Sequence, residues 1–470
     1  MTASILKTHK QEVKLWDINT LMFHDTFTGR RYWKHFLLDA DSGTIEDFQQ
    51  QTKEFFVHYA NKILSDNPEV IIFKCIGKTY ANSIRLAQII KEKDKDKLII
   101  LCGLLLTVEQ DVELFVARQK EIPADFIICG EDDFALSELI KAIEINGLKK
   151  LGSIFKKNDK VINCINGPIV DNLDNLPFFE FSDFDLNSYR FPDTLEIFMS
   201  KGCPWRCVFC IDWRNEKYRS MSGKRIFDEL LYQTNLYKQI RHFRFCDKTI
   251  NGNIRALTEF CNLVSEGFKQ GLFQRNDWYW SGDAMIRPEM NRELLEKMVK
   301  ARCNGIGYGI ESGSEKVVKD MGKFFSIPLA EEVIKNTHSN NLKTTINILV
   351  GFPTETRKDF EETMKFIVKN RDFIDEVRLT YGGCRVYPHS YLDTDLDKYN
   401  ITYPVSEVKE LNSIDSWINK VDYWMSEDGL NTYEERIRRT EEISELILSL
   451  GIELRVNSRI TRKSKVNRDA

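Results

Sequence analysis

Between residues 68 and 150 the chain alternates short apolar runs with stretches whose apolar positions recur at three- and four-residue spacing. PEVIIFKCIG, KLIILCG and ADFIICG read as buried strands, each ending in glycine. TYANSIRLAQIIKEK, EQDVELFVARQK and EDDFALSELIKAI read as the helices between them. Strand and helix in alternation predict a parallel α/β sheet for the domain over residues 1–150. Gly77, Gly103 and Gly130 then line up at its carboxyl edge, where open α/β sheets bind ligands and where plain chain reversal also calls for glycine. From 151 to 192 the periodicity fades into NGPIVDNLDNLPFFEFSDFDLNSYRFPD, which reads as a linker lying across a surface.

A second alternating series occupies residues 193–390. TLEIFMSKGC, IRHFRFCD, DWYWSGD, CNGIGYGIESG, TTINILVGFP and EVRLTYGGCRVYP are six strand candidates with helical patterns between them. They predict a partial (β/α)6 barrel, open on one side. Trp278 and Trp280 face one way from the third of these strands and Tyr279 the other, which suits a barrel core as well as a substrate wall. Residues 391–470 turn helical, NTYEERIRRTEEISELILSLGI being the clearest amphipathic segment, and end in a basic tail from Arg455 to Arg468.

Length adds that 470 residues exceed one ordinary core. A net charge of −4 gives no signal for nucleic acid as the main partner. The start lacks the apolar core of a signal peptide and the longest greasy run, LIILCGLLLTV, is too short to span a bilayer, so the sequence reads as cytoplasmic, without a membrane partner. In that compartment the eleven cysteines are expected to stay mostly reduced.

Three of them stand together in SKGCPWRCVFCIDW: Cys203, Cys207 and Cys210. Spacers of three and two residues let three thiolates converge from one loop after the first barrel strand. A structural zinc site takes four ligands, and no local cysteine or histidine completes one; His242 would have to come from another strand. A 4Fe–4S cluster on three cysteines keeps one iron open to an outside chelator. Cys246, Cys303 and Cys384 fall on or beside strands, where buried unreactive cysteine is usual.

With its aromatic Phe209 before the last cysteine, this motif resembles that of the radical S-adenosylmethionine (SAM) superfamily. More narrowly, the chain resembles radical enzymes with an N-terminal cobalamin-binding-type domain. The likeness runs from about 60 to 450 through VDNLDNLPFFEF, SKGCPWRCVFC, FRFCDKTING, GIGYGIESGSEKVVKDMGK, NILVGFPTETRKDFEETMKF and CRVYPHSYL. It implies a 4Fe–4S cluster on the three cysteines, with SAM chelating the open iron and split to methionine and a 5′-deoxyadenosyl radical. Carried over by position, Phe209 packs near the adenine and Asp247 stands where relatives often hold the methionine amine. Glu311 meets the ribose or methionyl end, and Gly351 lets the adenine approach. The residue-level alternatives are an Asp247 that caps a turn and a Glu311 that is a solvated carboxylate near a helix start. Arg385 and Tyr387, on one face of the last strand, are the substrate-side candidates, because a charge pointing into a barrel needs a partner.

The front region resembles a cobalamin-binding Rossmann-like domain in strand order and in its loops CIGKTY, CGLLLT and CGEDD, but has no Asp-x-His-x-x-Gly to ligate cobalt. Cobalamin would lie against the turns at Gly77, Gly103 and Gly130. The readings are cobalamin-dependent methylation of an unactivated carbon of a small molecule; a dehydration, rearrangement or epimerisation with the front domain as scaffold; and a non-catalytic metal-binding or electron-transfer protein. The implied partners are a small-molecule substrate and an external electron donor such as flavodoxin or ferredoxin.

Overall fold

The structure, a computed structural model, describes residues 2–8, 10–18, 20–21, 42–75, 80–103, 123–144, 153–157, 160–167, 169–211, 217–387, 389–403 and 421–457. The chain divides into two compact units, one comprising Met1–Asp171 and Leu176–Arg190, the other Asn172–Asn175 and Phe191–Ser458.

The first unit is built on a five-stranded sheet. Strands β1 (Val70–Lys74), β2 (Leu98–Cys102) and β3 (Phe126–Gly130) are the three apolar runs read from the sequence, side by side and parallel. Helices Tyr80–Lys93 and Asp133–Glu144 belong to the same alternation. Ile100, Cys102, Phe126, Ile128, Leu136 and Leu139 form a core with Leu6. Residues 153–167, inside the stretch read as linker, are two further strands: β4 (Ser153–Lys157) antiparallel to β5 (Lys160–Gly167), which lies parallel to β3. Lysines and asparagines interrupt the apolar pattern of this pair, which is why it does not read as a buried strand. Gly77, the loop 76–79, the apolar turn 104–106 and the second helix read from this region lie outside the described residues, as does the tail from 458 onward.

The second unit is a seven-stranded, wholly parallel sheet with helices between the strands. Its strands are β6 (Thr194–Ile197), β7 (His242–Phe245), β8 (Tyr279–Ala284), β9 (Cys303–Glu311), β10 (Lys343–Ile348), β11 (Glu376–Thr380) and β12 (Glu453–Asn457), neighbours in that order. The first six are the predicted ones. β12 comes from the stretch read as helical; its five residues, ELRVN, alternate without a continuous apolar run, and pairing with β11 reveals it. No described pairing joins β6 to β12, so the barrel is open.

Short polar residues start the helices of this unit: Ser222, Asn253, Asn291 and Ser326 each accept a backbone N–H of the first turn, and Thr356 with Asp359 forms a capping box. The strand faces divide by function. On β9, Ile306, Tyr308 and Ile310 are buried toward the helices, the Tyr308 hydroxyl lying 2.9 Å from that of Thr337. Trp278 and Trp280 also face the helices: the Trp280 indole donates to the Ala301 carbonyl at 2.7 Å and its ring meets Phe260. The opposite, inner face of β9 carries Gly305, Gly307, Gly309 and then Glu311. Among the described residues no helix is long and apolar enough to cross a membrane.

Candidate functional site

The cysteine loop leaves the carboxyl end of β6 and is tied down at three points. Asp247, just past β7, accepts the Met199 N–H at 3.1 and 3.2 Å and the hydroxyl of Ser200, which fixes the start of the loop. In the middle, the Val208 N–H donates to the Met321 carbonyl at 3.0 Å, while the Val208 carbonyl accepts from Leu392 at 3.2 Å. The Cys210 N–H closes on the Cys207 carbonyl at 3.1 Å. Cys207 is buried, Cys203 and Cys210 are partly so, and all three are thiols outside any disulfide.

An ion pair that the sequence reading did not single out lies beside this loop. Lys323 is buried; its Nζ donates to the Gly309 carbonyl at 2.8 Å and pairs with Glu311 Oε1 at 3.4 Å. The ammonium also stands 6.0 Å from the Phe209 ring. A side chain at Gly309 would meet both partners, so the inner-face glycines of β9 make room for these charges. Glu311 has φ +68°, at a break in the register with β10, which turns its carboxylate out of the strand alternation. Burial pushes the Cys207 thiol up, while Lys323 pulls it toward the thiolate. Burial likewise raises Glu311, against the pull of Lys323. In the sequence, Lys323 is marked only by its place between Gly322 and two phenylalanines.

The loop suits an iron–sulfur cluster better than zinc. His242 does not complete a zinc site, because it sits at the amino end of β7, stacked on Tyr279 with Nε2 2.7 Å from Ser281 Oγ. That is a strand length, roughly 10 Å, from the cysteine loop. Among the described residues no three His, Cys, Asp or Glu side chains converge on one ion. A cubane instead takes each thiolate at a different iron, and three thiols from one pinned loop match that demand.

Residues 197–367 match the radical SAM superfamily. The matched segment holds the three-cysteine loop and strands β7 to β10. The chain is 25% identical over 378 residues to an uncharacterized methyltransferase of Pyrococcus horikoshii, covering 76% of this chain and 78% of the relative. It is 22% identical over 341 residues to an anaerobic magnesium-protoporphyrin IX monomethyl ester cyclase of Synechocystis sp., covering 70% and 63%. In fold it is similar to the radical SAM methyltransferase TsrM of Kitasatospora setae, solved with tryptophan and a SAM analogue (TM-score 0.64, 12% identity, 84% of this chain and 80% of that one). It is also similar to the cobalamin-dependent radical SAM enzyme OxsB (TM-score 0.55, 17% identity, 83% and 55%).

The other candidates occupy varied places. Asp247 is buried, and burial raises its carboxyl to about 7 against the hydrogen bonds that lower it. Its visible work is to hold residues 199 and 200. Phe209 leans on an apolar cluster that includes Val317, Met321, Phe352 and Leu392. Gly351 has φ +72°, and a Cβ there would overlap the side chain of Arg436, a buried guanidinium from helix Tyr433–Ser449. Arg385 donates through Nε to the buried Asp422 at 2.6 Å, and Tyr387 is exposed. The inner face adds a pair absent from the sequence reading: Arg378 Nη1 meets Asp283 Oδ1 at 2.9 Å, over Gly307, and its Nε meets Glu376 at 2.8 Å. Cys303 and Cys384 are buried, with burial pushing both thiols up to about 12.

In the first unit, Gly103 ends β2 with φ +126°, and a Cβ there would overlap the Cys75 carbonyl. The backbone alone demands this glycine, so a Gly103→Arg variant would disturb the sheet before it obstructed any ligand. Gly130, φ +74°, ends β3 opposite Gly167.

Proposed function

We propose that this radical SAM protein methylates an unactivated carbon of a small molecule, with a 4Fe–4S cluster on Cys203, Cys207 and Cys210 and with cobalamin on the first unit. The carrying observation is the three-thiol loop pinned beside the Lys323–Glu311 pair. Bound there, the cluster and SAM supply one-electron cleavage of the sulfonium; cobalamin supplies a transferable methyl group.

The chain's own residues do the positioning. The bonds from Asp247, Met321 and Leu392 keep the thiols in place without metal. Lys323 favours thiolates over thiols at the buried cysteine. Glu311 offers a carboxylate to the amine or hydroxyls of SAM, with its charge balanced by Lys323 in advance. Phe209 closes the apolar side, which excludes water from a reactive centre. On the inner face, Asp283 and Arg378 present both signs of charge to a substrate. Arg385 and Tyr387 stay as outer substrate contacts in this proposal. In the first unit, the turns at Gly103 and Gly130 carry no side chains of their own, which would let a flat macrocycle approach the carboxyl edge there.

Glu311→Gln is expected to leave iron content near wild type and to weaken SAM binding by about tenfold, about 1.4 kcal/mol. Equilibrium dialysis of the reconstituted protein measures this. Equal affinity would return Glu311 to the role of structural partner for Lys323.

The methyl-transfer reading is tested by anaerobic purification with added cobalamin, a spectrum of corrin retained after gel filtration, and the product's mass. Retained corrin and a gain of one methyl group support it. Turnover with no corrin and no mass gain would instead select dehydration, rearrangement or epimerisation. This second reading draws on the relative named as a cyclase.

A further inference from the structure

We infer that the indole N–H of Trp205 donates a hydrogen bond to a sulfur of the 4Fe–4S cluster and makes the cluster easier to reduce. Trp205 stands inside the motif, two residues after Cys203 and two before Cys207. Its Cα therefore lies at most about 7.6 Å from the Cα of either cysteine. The residue is half-buried, yet its Nε1 is closed off from solvent and bonds to no acceptor.

The other described tryptophans of the second unit are better supplied. Trp280 donates to the Ala301 carbonyl at 2.7 Å, and Trp424 to the Cys384 carbonyl at 2.9 Å. The Trp278 Nε1 also lacks an acceptor, but its ring packs against Phe243, Phe268 and Phe273, whose aromatic faces accept an N–H weakly. Trp205 has no such rings against it among the described residues. It is held instead by Arg287, whose guanidinium carbon stands 5.7 Å from its ring centre. Arg287 is anchored in turn: Nη1 donates to the Asn251 carbonyl at 2.8 Å and Nη2 to Glu289 at 3.0 Å. Burial pushes the Tyr218 phenol up to about 12, and Cys203 and Arg287 both act on it as well, so the cation sits on the Cys203 side of the loop. A ring fixed in this way keeps its donor in place before any acceptor arrives.

A buried N–H without a partner is costly, and one retained in a folded protein points to an acceptor that binds there. Sulfurs of a cluster are the acceptors that three cysteines of the same loop would bring. The bond strengthens as negative charge on the cluster grows, so it favours the reduced form. On reduction one electron enters the cluster and the indole keeps its proton.

The inference rests on the cluster reading, and the experiment separates the two. Full-length protein is reconstituted anaerobically, its iron and sulfide are counted, and the cluster is titrated with dithionite while EPR follows the reduced form. Trp205→Phe keeps an aromatic ring beside Arg287 and removes the donor. At a fixed ambient potential it is expected to lower the ratio of reduced to oxidised cluster about tenfold, which is about 59 mV toward more negative potential. Trp213→Phe, at the tryptophan three residues past Cys210, is expected to titrate like wild type. Wild-type protein carrying nitrogen-15 in its indoles supplies a second readout that does not depend on the folding of Trp205→Phe. Pulsed EPR of its reduced cluster is expected to show a nitrogen-15 coupling, which Trp213→Phe keeps. An unchanged potential in Trp205→Phe at full iron loading, or labelled wild type without the coupling, overturns the hydrogen bond and leaves the cluster reading standing. A coupling that Trp213→Phe abolishes overturns it too. Wild-type protein that takes up no 4Fe–4S cluster removes the cluster reading, and the hydrogen bond with it.

Discussion

Cys207→Ala is expected to abolish SAM cleavage and to leave the protein without its cluster iron. Two thiolates cannot hold a cubane that has only three protein ligands. Cys207 is the most buried of the three and feels the charge of Lys323, so no water or neighbouring side chain replaces it easily. The loop itself should survive, because it is held by the carbonyls of Met321 and Val208 and by Asp247 rather than by thiol contacts. Iron and sulfide counts after anaerobic reconstitution, with 5′-deoxyadenosine as the activity measure, check this. Cys384→Ala, at a buried cysteine away from the motif, is expected to keep its iron. Native-level cleavage by Cys207→Ala would end the radical assignment for this chain.

Arg436→Met should produce the largest loss of stability. The guanidinium is fully buried, stacks on Trp424 at 4.0 Å and donates to the carbonyls of Gly382, Asn431, Asp422 and Trp424 at 3.3, 3.2, 2.6 and 2.9 Å. Burial lowers it to about 10, so it remains charged at neutral pH, and the carbonyl oxygens offset its desolvation. Methionine fills much of the volume but leaves buried acceptors unpaired. The expected cost is about 3–5 kcal/mol, or a fall of roughly 10 °C in melting temperature. Thermal unfolding of the full chain measures it. Gly351→Ala is expected to fall in the same experiment, because the added carbon overlaps the Arg436 stem at a backbone φ of +72°. If Gly351→Ala melts like wild type but binds SAM more weakly, the adenine-approach reading of Gly351 is supported.

The barrel strands and the three-cysteine motif were legible because their signals are local. Alternation of apolar strand and amphipathic helix shows itself within a dozen residues, and a loop ligand set is a matter of spacing. What did not read from the sequence depended on partners far along the chain. β12 is five residues with only Leu454 and Val456 apolar, and its place in the sheet is set by pairing with β11. Residues 153–157 and 160–167 have no unbroken apolar run, and they become strands because β5 pairs with β3 and β4 pairs with β5. Lys323 has no motif value until β9 bends at Glu311 and brings the two charges together.

By itself, then, the sequence determined the chemistry on offer: three closely spaced thiols, an aromatic among them, and a succession of strands whose carboxyl ends carry the polar loops. Tertiary structure decided what each polar residue attends to. Asp247 turned to the backbone of residues 199 and 200, Gly351 to Arg436, Arg385 to Asp422, and Asp283 to Arg378. The physical reason is that a buried polar group must find a partner, and the partner is chosen by which strands and helices the core brings into contact.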